Sequence, residues 1–187
     1  MVLINKAMNT QQQQLKAIRS YLYTHSKQVT HLAVLHTNFH TFNADKGTLA
    51  YMEATARKQC RFFRRCFSQK LYGMKAIRKP GIHAPIMLTT IEGAKTTDDK
   101  ALTIHYNFGL GRLPEHMTLD ELRGVIYECW VNKAGMSSKS LWVEEADRTE
   151  GKLKGWINYI TKEAEKGNLD CWDFENTQVD SNSTKQT

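Results

Sequence analysis

The chain has 187 residues, of which 41% are hydrophobic and 24% charged, a composition typical of one globular domain with a hydrophobic core. Lys and Arg outnumber Asp and Glu by 26 to 19, and the net charge of +7 at pH 7 favours a polyanionic partner such as nucleic acid. Because no apolar run reaches the roughly 18 to 20 residues of a membrane span, and the N-terminus lacks a secretory-signal pattern, a cytoplasmic protein with no membrane partner is expected.

Composition along the chain divides it into three parts. Residues 1–28, with a polar stretch over Asn9 to Gln14, are expected to form an N-terminal extension that is partly helical or mobile. Residues 29–177 alternate between strand and helix patterns and are expected to form the functional domain. Residues 178–187 are polar and are expected to form a flexible tail.

The hydrophobic pattern predicts seven elements within the central part. In chain order they are a strand over 29–39, a helix over 48–70, strands over 83–91 and 101–108, a helix over 119–132, a strand over 140–145 and a helix over 150–166. Thr118 and Glu121 form a capping-box pattern, and Gly167 is a natural C-terminal stop. This order contains the split β-α-β unit of ferredoxin-like folds. We therefore expect an α+β fold, with an antiparallel sheet of about four to five strands and helices packed on one face.

The third predicted strand carries a pair of candidate metal ligands. Side chains alternate along a strand, so His105 and Asn107 are predicted to point to the same face. If the strands predicted over 83–91 and 101–108 form a hairpin, Glu92 lies beside the strand that holds His105. One carboxylate, one imidazole and one amide oxygen leave positions open on a six-coordinate ion, which is what Mg²⁺ or Mn²⁺ needs in order to bind a phosphate as well.

The last predicted helix carries a candidate nucleophile. Helical spacing places an apolar stripe over Leu153, Ile157 and Ile160, and it places Tyr159 about 120° away, on the flank. Lys162 follows three residues later and projects from the same side as Tyr159. A lysine there can activate a phenol or hold a phosphate.

The second half of the first predicted helix and the loop after it are basic. Phosphate contacts of a nucleic-acid backbone are one interpretation of this charge, and a solvated helix face is the other. The candidates for backbone contact are Arg61, Arg64, Arg65, Arg78 and Lys79.

In their order along the chain, these motifs resemble those of the HUH endonucleases, in particular the replication initiators of rolling-circle plasmids, phages and small single-stranded DNA viruses. The segment 104–108 resembles the family's metal motif, usually His, hydrophobe, His, and Glu92 matches a carboxylate that often completes that site. The segment 155–162 is similar to the nucleophile motif, with Tyr and Lys three residues apart on a helix, and 173–177 is similar to the sequence that follows it. Asn107 stands where most members have a second histidine, and some viral branches have Gln there.

The resemblance covers about residues 29–177 and implies a sequence-specific nicking-joining DNA endonuclease of a plasmid, phage or phage satellite. It implies that Tyr159 forms a 5′-phosphotyrosine intermediate on single-stranded or hairpin DNA, most often to start rolling-circle replication, with Lys162 assisting. It also implies Mg²⁺ or Mn²⁺ at Glu92, His105 and Asn107. Because the chain lacks G-x-x-x-x-G-K-[ST], a separate helicase and a separate polymerase are expected as partners.

Other functions stay open from the sequence. The same chemistry serves a mobile-element nickase that cuts foreign DNA to interfere with its replication, and the same fold serves a DNA-binding module that has lost catalysis. A further hypothesis is a single-stranded RNA-binding domain that stacks bases on Phe39, Tyr106 and Phe108, although the motif of that class is missing. The recognised DNA sequence and the oligomeric state do not follow from the sequence.

Overall fold

The computed structural model describes residues 9–79, 82–94 and 103–179. The helices are α1 (Thr10–Ser26), α2 (Lys46–Tyr72), α3 (Lys75–Arg78), α4 (Leu119–Tyr127), α5 (Glu150–Ile160) and α6 (Lys162–Glu165), and the strands are β1 (Val29–His40), β2 (Ile86–Glu92), β3 (Thr103–Gly111) and β4 (Trp142–Glu145). A π-helical turn over Glu128–Lys133 extends α4, and a 3₁₀ turn covers Leu169–Cys171. The predicted α+β class is confirmed. In the described ranges, no helix has both the length and the hydropathy needed to cross a lipid bilayer.

The four strands form one antiparallel sheet in the order β2-β3-β1-β4. Strands β2 and β3 pair antiparallel, as the hairpin considered above requires, and residues 95–102 between them lie outside the described residues. The register places His105 of β3 directly opposite Glu92 of β2 on one side and His36 of β1 on the other. A carboxylate and two imidazoles therefore form one row across three strands.

Helices cover both faces of this sheet. Ile104, Tyr106 and Phe108 of β3 pack against α2 and α4, whereas Ile86 and Leu88 of β2 belong to a second core shared with α1 and α5. The two helices of the predicted split β-α-β unit, α2 and α4, thus lie on one face as expected, and α1 and α5 cover the other. Every residue of β2 is buried, and a strand buried on both faces requires cover on both.

The larger core contains the aromatic residues that were considered for base stacking. Tyr106 and Phe108 are fully buried, where they pack with Phe63 and Trp130. Burying one large apolar side chain stabilises the fold by about 1.5–3 kcal/mol. Since neither ring reaches the surface, Tyr106 and Phe108 cannot stack on the bases of an RNA strand.

The polar N-terminal segment from Asn9 to Gln14 forms the exposed first part of a helix. The Asn9 side chain accepts a hydrogen bond from the backbone of Gln12, and the Gln12 side chain accepts one from the backbone of Asn9, so a capping box begins α1. Ile18 and Leu22 of α1 then bury their side chains in the core shared with α5. The helix is thus anchored by its second half.

The last predicted helix is interrupted at Thr161, which separates α5 from α6. The Thr161 hydroxyl donates to the carbonyl of Ile157 at 2.7 Å and accepts from the Arg19 side chain at 2.9 Å. Side-chain bonds to a preceding carbonyl compete with the helical ladder and bend helices. Because Arg19 belongs to α1, α1 helps to fix the position of the break at Thr161.

Gly109 of β3 is the contact that sets the distance of α5 from the sheet. A Cβ atom at this position would lie 2.6 Å from Cη2 of Trp156 and 3.0 Å from Cγ2 of Val29. Trp156 therefore lies directly on the backbone of β3. The next turn of the helix then carries its side chains toward Glu92 and His105.

We expect Gly109→Ala to lower the free energy of unfolding by about 1–3 kcal/mol, because the added methyl group must push Trp156 away from the sheet. Urea denaturation measures this change, and adding Trp156→Leu to the same chain should restore part of the loss. Gly124→Ala is the matched control, since nothing lies within 4 Å of a Cβ atom at that helical position. An equal loss in both single variants would contradict the packing explanation.

Candidate functional site

Glu92, at the end of β2, is the centre of the candidate site. Its side chain is 3% exposed, and three donors lie around its carboxylate. The ammonium nitrogen of Lys162 lies 2.7 Å from Oε2, and Nε2 of His105 lies 3.4 Å from the same oxygen. The side-chain nitrogen of Asn107 donates to Oε1 at 2.9 Å. The structure thus brings together the three predicted metal ligands and the predicted catalytic lysine.

These contacts keep the carboxyl group of Glu92 ionised. Burial opposes ionisation of Glu92, but hydrogen bonds from His105 and Lys162 outweigh burial and lower the pKa of the carboxyl group. Burial likewise disfavours charge on His105 and Lys162, yet their bonds to Glu92 raise the pKa of both. Without another cation, Glu92 is a carboxylate that is paired with protonated neighbours.

The imidazole of His105 is oriented by two neighbours. Its Nδ1 lies 3.0 Å from the backbone carbonyl of Thr103, so that nitrogen carries a proton and Nε2 faces Glu92. His36 stacks on the ring, with 5.0 Å between ring centroids and 16° between ring planes. When Nε2 gives up its proton, the neutral ring that remains is the tautomer that metal-ligating histidines have, with Nδ1 held by a carbonyl.

Asn107 is buried and turns its NH₂ group toward Glu92, because an ionised carboxylate only accepts hydrogen bonds. The same nitrogen also lies 3.5 Å from the hydroxyl of Thr90. To serve as a ligand, the amide must turn over and present its oxygen. As oriented here, the amide of Asn107 acts as a hydrogen-bond donor to Glu92.

Tyr159 lies on the exposed flank of α5, as predicted, with 54% of its surface accessible. The ammonium of Lys162 lies 3.9 Å from the centroid of its ring. Lys162 is itself 40% exposed and bridges Tyr159 and Glu92. A phenol, an ammonium and a carboxylate therefore form a continuous line from the surface to the sheet.

Glu163 was not predicted from the sequence, although it fixes the site. It is buried, and it accepts hydrogen bonds from the backbone of Gly93 at 3.0 Å and from the side chain of Asn168 at 2.9 Å. Consecutive residues of α6 thus bind consecutive residues of the β2 end, Lys162 to Glu92 and Glu163 to Gly93. A lone glutamate in a charged segment gave no signal of this role.

The predicted backbone-contact residues separate into two groups. Arg61 pairs with the Glu175 carboxylate, and Arg64 donates to the Glu175 carbonyl at 2.8 Å, so both bind the segment after the last helix. Arg65 lies exposed on α2. Arg78 and Lys79 lie exposed at the end of α3. Arg61 is also exposed, but its charge is paired with Glu175, as that of the second group is not.

The donor set is compatible with a hard divalent cation. Among the described residues, no group of three or more His, Cys, Asp and Glu side chains has the arrangement of a metal site, and the predicted ligand set contains only two such residues beside the amide of Asn107. A carboxylate that already attracts an ammonium, and an imidazole of the appropriate tautomer, supply the other two. Carboxylate and amide oxygens suit Mg²⁺ and Mn²⁺.

We expect Glu92→Gln to lower the free energy of unfolding of the metal-free protein by about 2 kcal/mol, with the exposed Lys162 supplying the smaller part. The pKa of Glu92 is lowered on folding, so its contribution is complete above about pH 4.3 and is lost as the pH falls. The pKa of His105 is raised, so its contribution is complete below about pH 6.5 and is lost as the pH rises.

The difference between the two proteins should therefore be largest between about pH 4.5 and 6.5. Urea unfolding in EDTA across pH 3–9 measures it. A difference that does not change with pH would show that the carboxylate pairing is not its source.

We expect His36→Ala to weaken Mn²⁺ binding about tenfold, because the stack that orients His105 is lost. His36→Phe keeps an aromatic ring in place and should bind Mn²⁺ within about threefold of the unchanged protein. Mn²⁺ titration followed by electron paramagnetic resonance measures both affinities. Equal losses in the two variants would instead make His36 a ligand.

Comparison of the chain with protein-family models, with curated proteins and with solved structures finds no match.

Proposed function

We propose that this protein is a metal-dependent DNA nicking-joining endonuclease, with Tyr159 as its nucleophile. The observation that carries the proposal is the position of Lys162, whose ammonium lies 2.7 Å from Glu92 and 3.9 Å from the ring centroid of Tyr159. Attack on a phosphodiester requires an accessible nucleophile next to a metal site, and an exposed phenol beside candidate metal ligands meets this requirement. The resemblance to HUH endonucleases supports the same reading.

In the proposed reaction, the phenolic oxygen of Tyr159 attacks the phosphorus of one phosphodiester, so an O–P bond forms while the bond from phosphorus to O3′ breaks. The phenolic proton passes to solvent, and O3′ takes a proton to become a free 3′-hydroxyl. The product is a 5′-phosphotyrosine ester. Because one phosphodiester replaces another, a later 3′-hydroxyl can reverse the step and join strands.

The neighbouring residues have distinct tasks in this reaction. Because the bonds of Lys162 raise its pKa, it acts as a cation beside the phosphate and the phenol and does not act as a base. Glu92, His105 and Asn107 would hold Mg²⁺ or Mn²⁺, which supplies polarisation of the phosphoryl oxygens when bound.

The proposed substrate is single-stranded DNA or a hairpin that exposes it. Arg65, Arg78 and Lys79 are the members of the predicted backbone-contact set that are exposed and are not bound to Glu175. Contacts of this kind fix the position of a strand and carry no sequence information. A separate helicase would supply unwinding, and a separate polymerase would extend the 3′-hydroxyl.

The direct test is to incubate the protein with pooled single-stranded and hairpin oligonucleotides and Mn²⁺, and to sequence any DNA that becomes covalently attached. A protein–DNA adduct that survives denaturation is the expected result. The attached sequences would also distinguish an initiator of its own replicon from a nickase of foreign DNA. Binding without any adduct would reject strand scission.

A DNA-binding module without catalysis is the second candidate, and one observation favours it. The Glu92 carboxylate has three partners without a metal, and Asn107 turns its NH₂ group toward it. Such a network can stabilise a fold without binding a cation. Mn²⁺ affinity separates the candidates, because the endonuclease requires binding at this site and the module does not.

A further inference from the structure

A cavity of about 270 Å³ lies beside α2, and its lining is rich in hydrogen-bond donors. Arg64, Arg65, Ser68 and Gln69 supply one wall from α2. The opposite wall includes Gln178, whose backbone pairs with that of Met87 at 2.7 and 2.8 Å. The cavity therefore has walls fixed by a long helix and by the edge of the sheet.

Ser68 is the unusual member of this lining. It is 7% exposed, and its hydroxyl has no hydrogen-bond partner among the described residues. A helical serine commonly bonds the carbonyl four residues earlier, and buried polar groups are nearly always paired. An unpaired hydroxyl destabilises the fold unless a ligand satisfies it.

The lining of the cavity is positively charged, although Asp173 and Glu175 lie close enough to attract the guanidinium group of Arg64. The described residues that line it include two guanidinium groups and no carboxylate. Arg64 uses one nitrogen to bind the neutral carbonyl of Glu175, while the carboxylate of that residue pairs with Arg61. Two planar guanidinium groups next to a hydroxyl match the oxygens of a phosphate, which accept several bonds at once.

We propose that this cavity binds a phosphate group through Arg64 and Arg65, and that the hydroxyl of Ser68, which is buried beneath the lining, turns to the phosphate when it enters. The cavity is separate from the candidate catalytic site. Ala84 lines the cavity just before β2 begins, whereas Glu92 ends that strand, whose length from Ile86 to Glu92 is about 20 Å. One phosphate cannot reach both places. Use of the cavity by DNA, as a second grip on the strand, rests on the proposed function, but phosphate binding itself does not.

The first test uses metal-free protein in EDTA, titrated with inorganic phosphate at constant ionic strength and followed by the amide NMR signals of Ser68 and Gln69. A saturable shift is expected. Arg65→Gln and Ser68→Ala should each weaken it at least about fivefold. Lys58→Gln is the matched control, because it removes one exposed charge from the same helix outside this lining. Ser68→Ala should also unfold at the same or a higher temperature than the unchanged protein.

The second test measures binding of a labelled DNA hairpin to the same proteins in EDTA, where no strand is cut. If DNA supplies the phosphate, Arg65→Gln lowers the slope of log affinity against log salt by about one. Phosphate binding with unchanged DNA affinity would instead assign the cavity to a free phosphate or a phosphorylated small molecule. No saturable shift, or an equal loss in Lys58→Gln, overturns the site. Failure of strand scission alone would overturn the proposed function and leave this cavity unaffected.

Discussion

Tyr159→Phe is expected to abolish covalent attachment of DNA, with a loss of roughly a thousandfold or more, because the ring is kept and only the attacking oxygen is removed. The hydroxyl lies on an exposed flank, so folding and DNA affinity should not change. Attachment is measured by gel electrophoresis of a labelled oligonucleotide incubated with Mn²⁺. Affinity is measured separately by fluorescence anisotropy in EDTA.

Tyr127→Phe is the control for this substitution, because Tyr127 is another exposed tyrosine, on α4, away from Glu92. It should attach DNA as well as the unchanged protein. Normal attachment in Tyr159→Phe would remove that residue from its role. Loss in both variants would point to a general effect of the substitution.

Lys162→Met is expected to move two measured quantities in opposite directions. Its ammonium neutralises the Glu92 carboxylate, so a metal must compete with it, and removal should tighten Mn²⁺ binding about five- to tenfold. DNA attachment should nevertheless fall by about a hundredfold or more, since the phenol loses its neighbouring cation. Calorimetric titration with Mn²⁺ and the gel assay measure the two effects.

Lys166→Met removes the same charge from an exposed position just after α6 and should change neither quantity. Weaker Mn²⁺ binding in Lys162→Met would mean that the lysine helps to organise the metal site, contrary to the competition argued here. Unchanged attachment would show that the ammonium next to Tyr159 has no part in the reaction.

The strands and the long helix follow from local pattern, which is why the sequence was sufficient to predict them. The β-rich run at residues 29–39 is β1 over Val29–His40, and the Thr118 capping box begins α4 as expected. Helix α1 was underestimated because its first turns are polar and only its second half meets the core. The break at Thr161 depends on Arg19, which lies 142 residues earlier and is invisible to local pattern.

The convergence of the site could be predicted only in part. Period-two alternation and the hairpin pairing were enough to bring Glu92 beside His105, and helical spacing was enough to expose Tyr159. The stack of His36 on His105 depends on the register between β1 and β3, which no short segment encodes. The roles of Arg61 and Arg64 depend on where the chain returns after the last helix.

The two edges of the sheet limit how copies of this chain could associate. On the outer side of β2, the chain's own Trp172 and Gln178 pair with Thr90 and Met87 and occupy the positions that an added strand would take. On the opposite side, β4 is only four residues long and carries two exposed carboxylates at its end, Glu144 and Glu145. Sheet edges that are short, charged or covered resist strand pairing between molecules. Association of copies through strand addition at these two edges, and polymers built in that way, are therefore disfavoured.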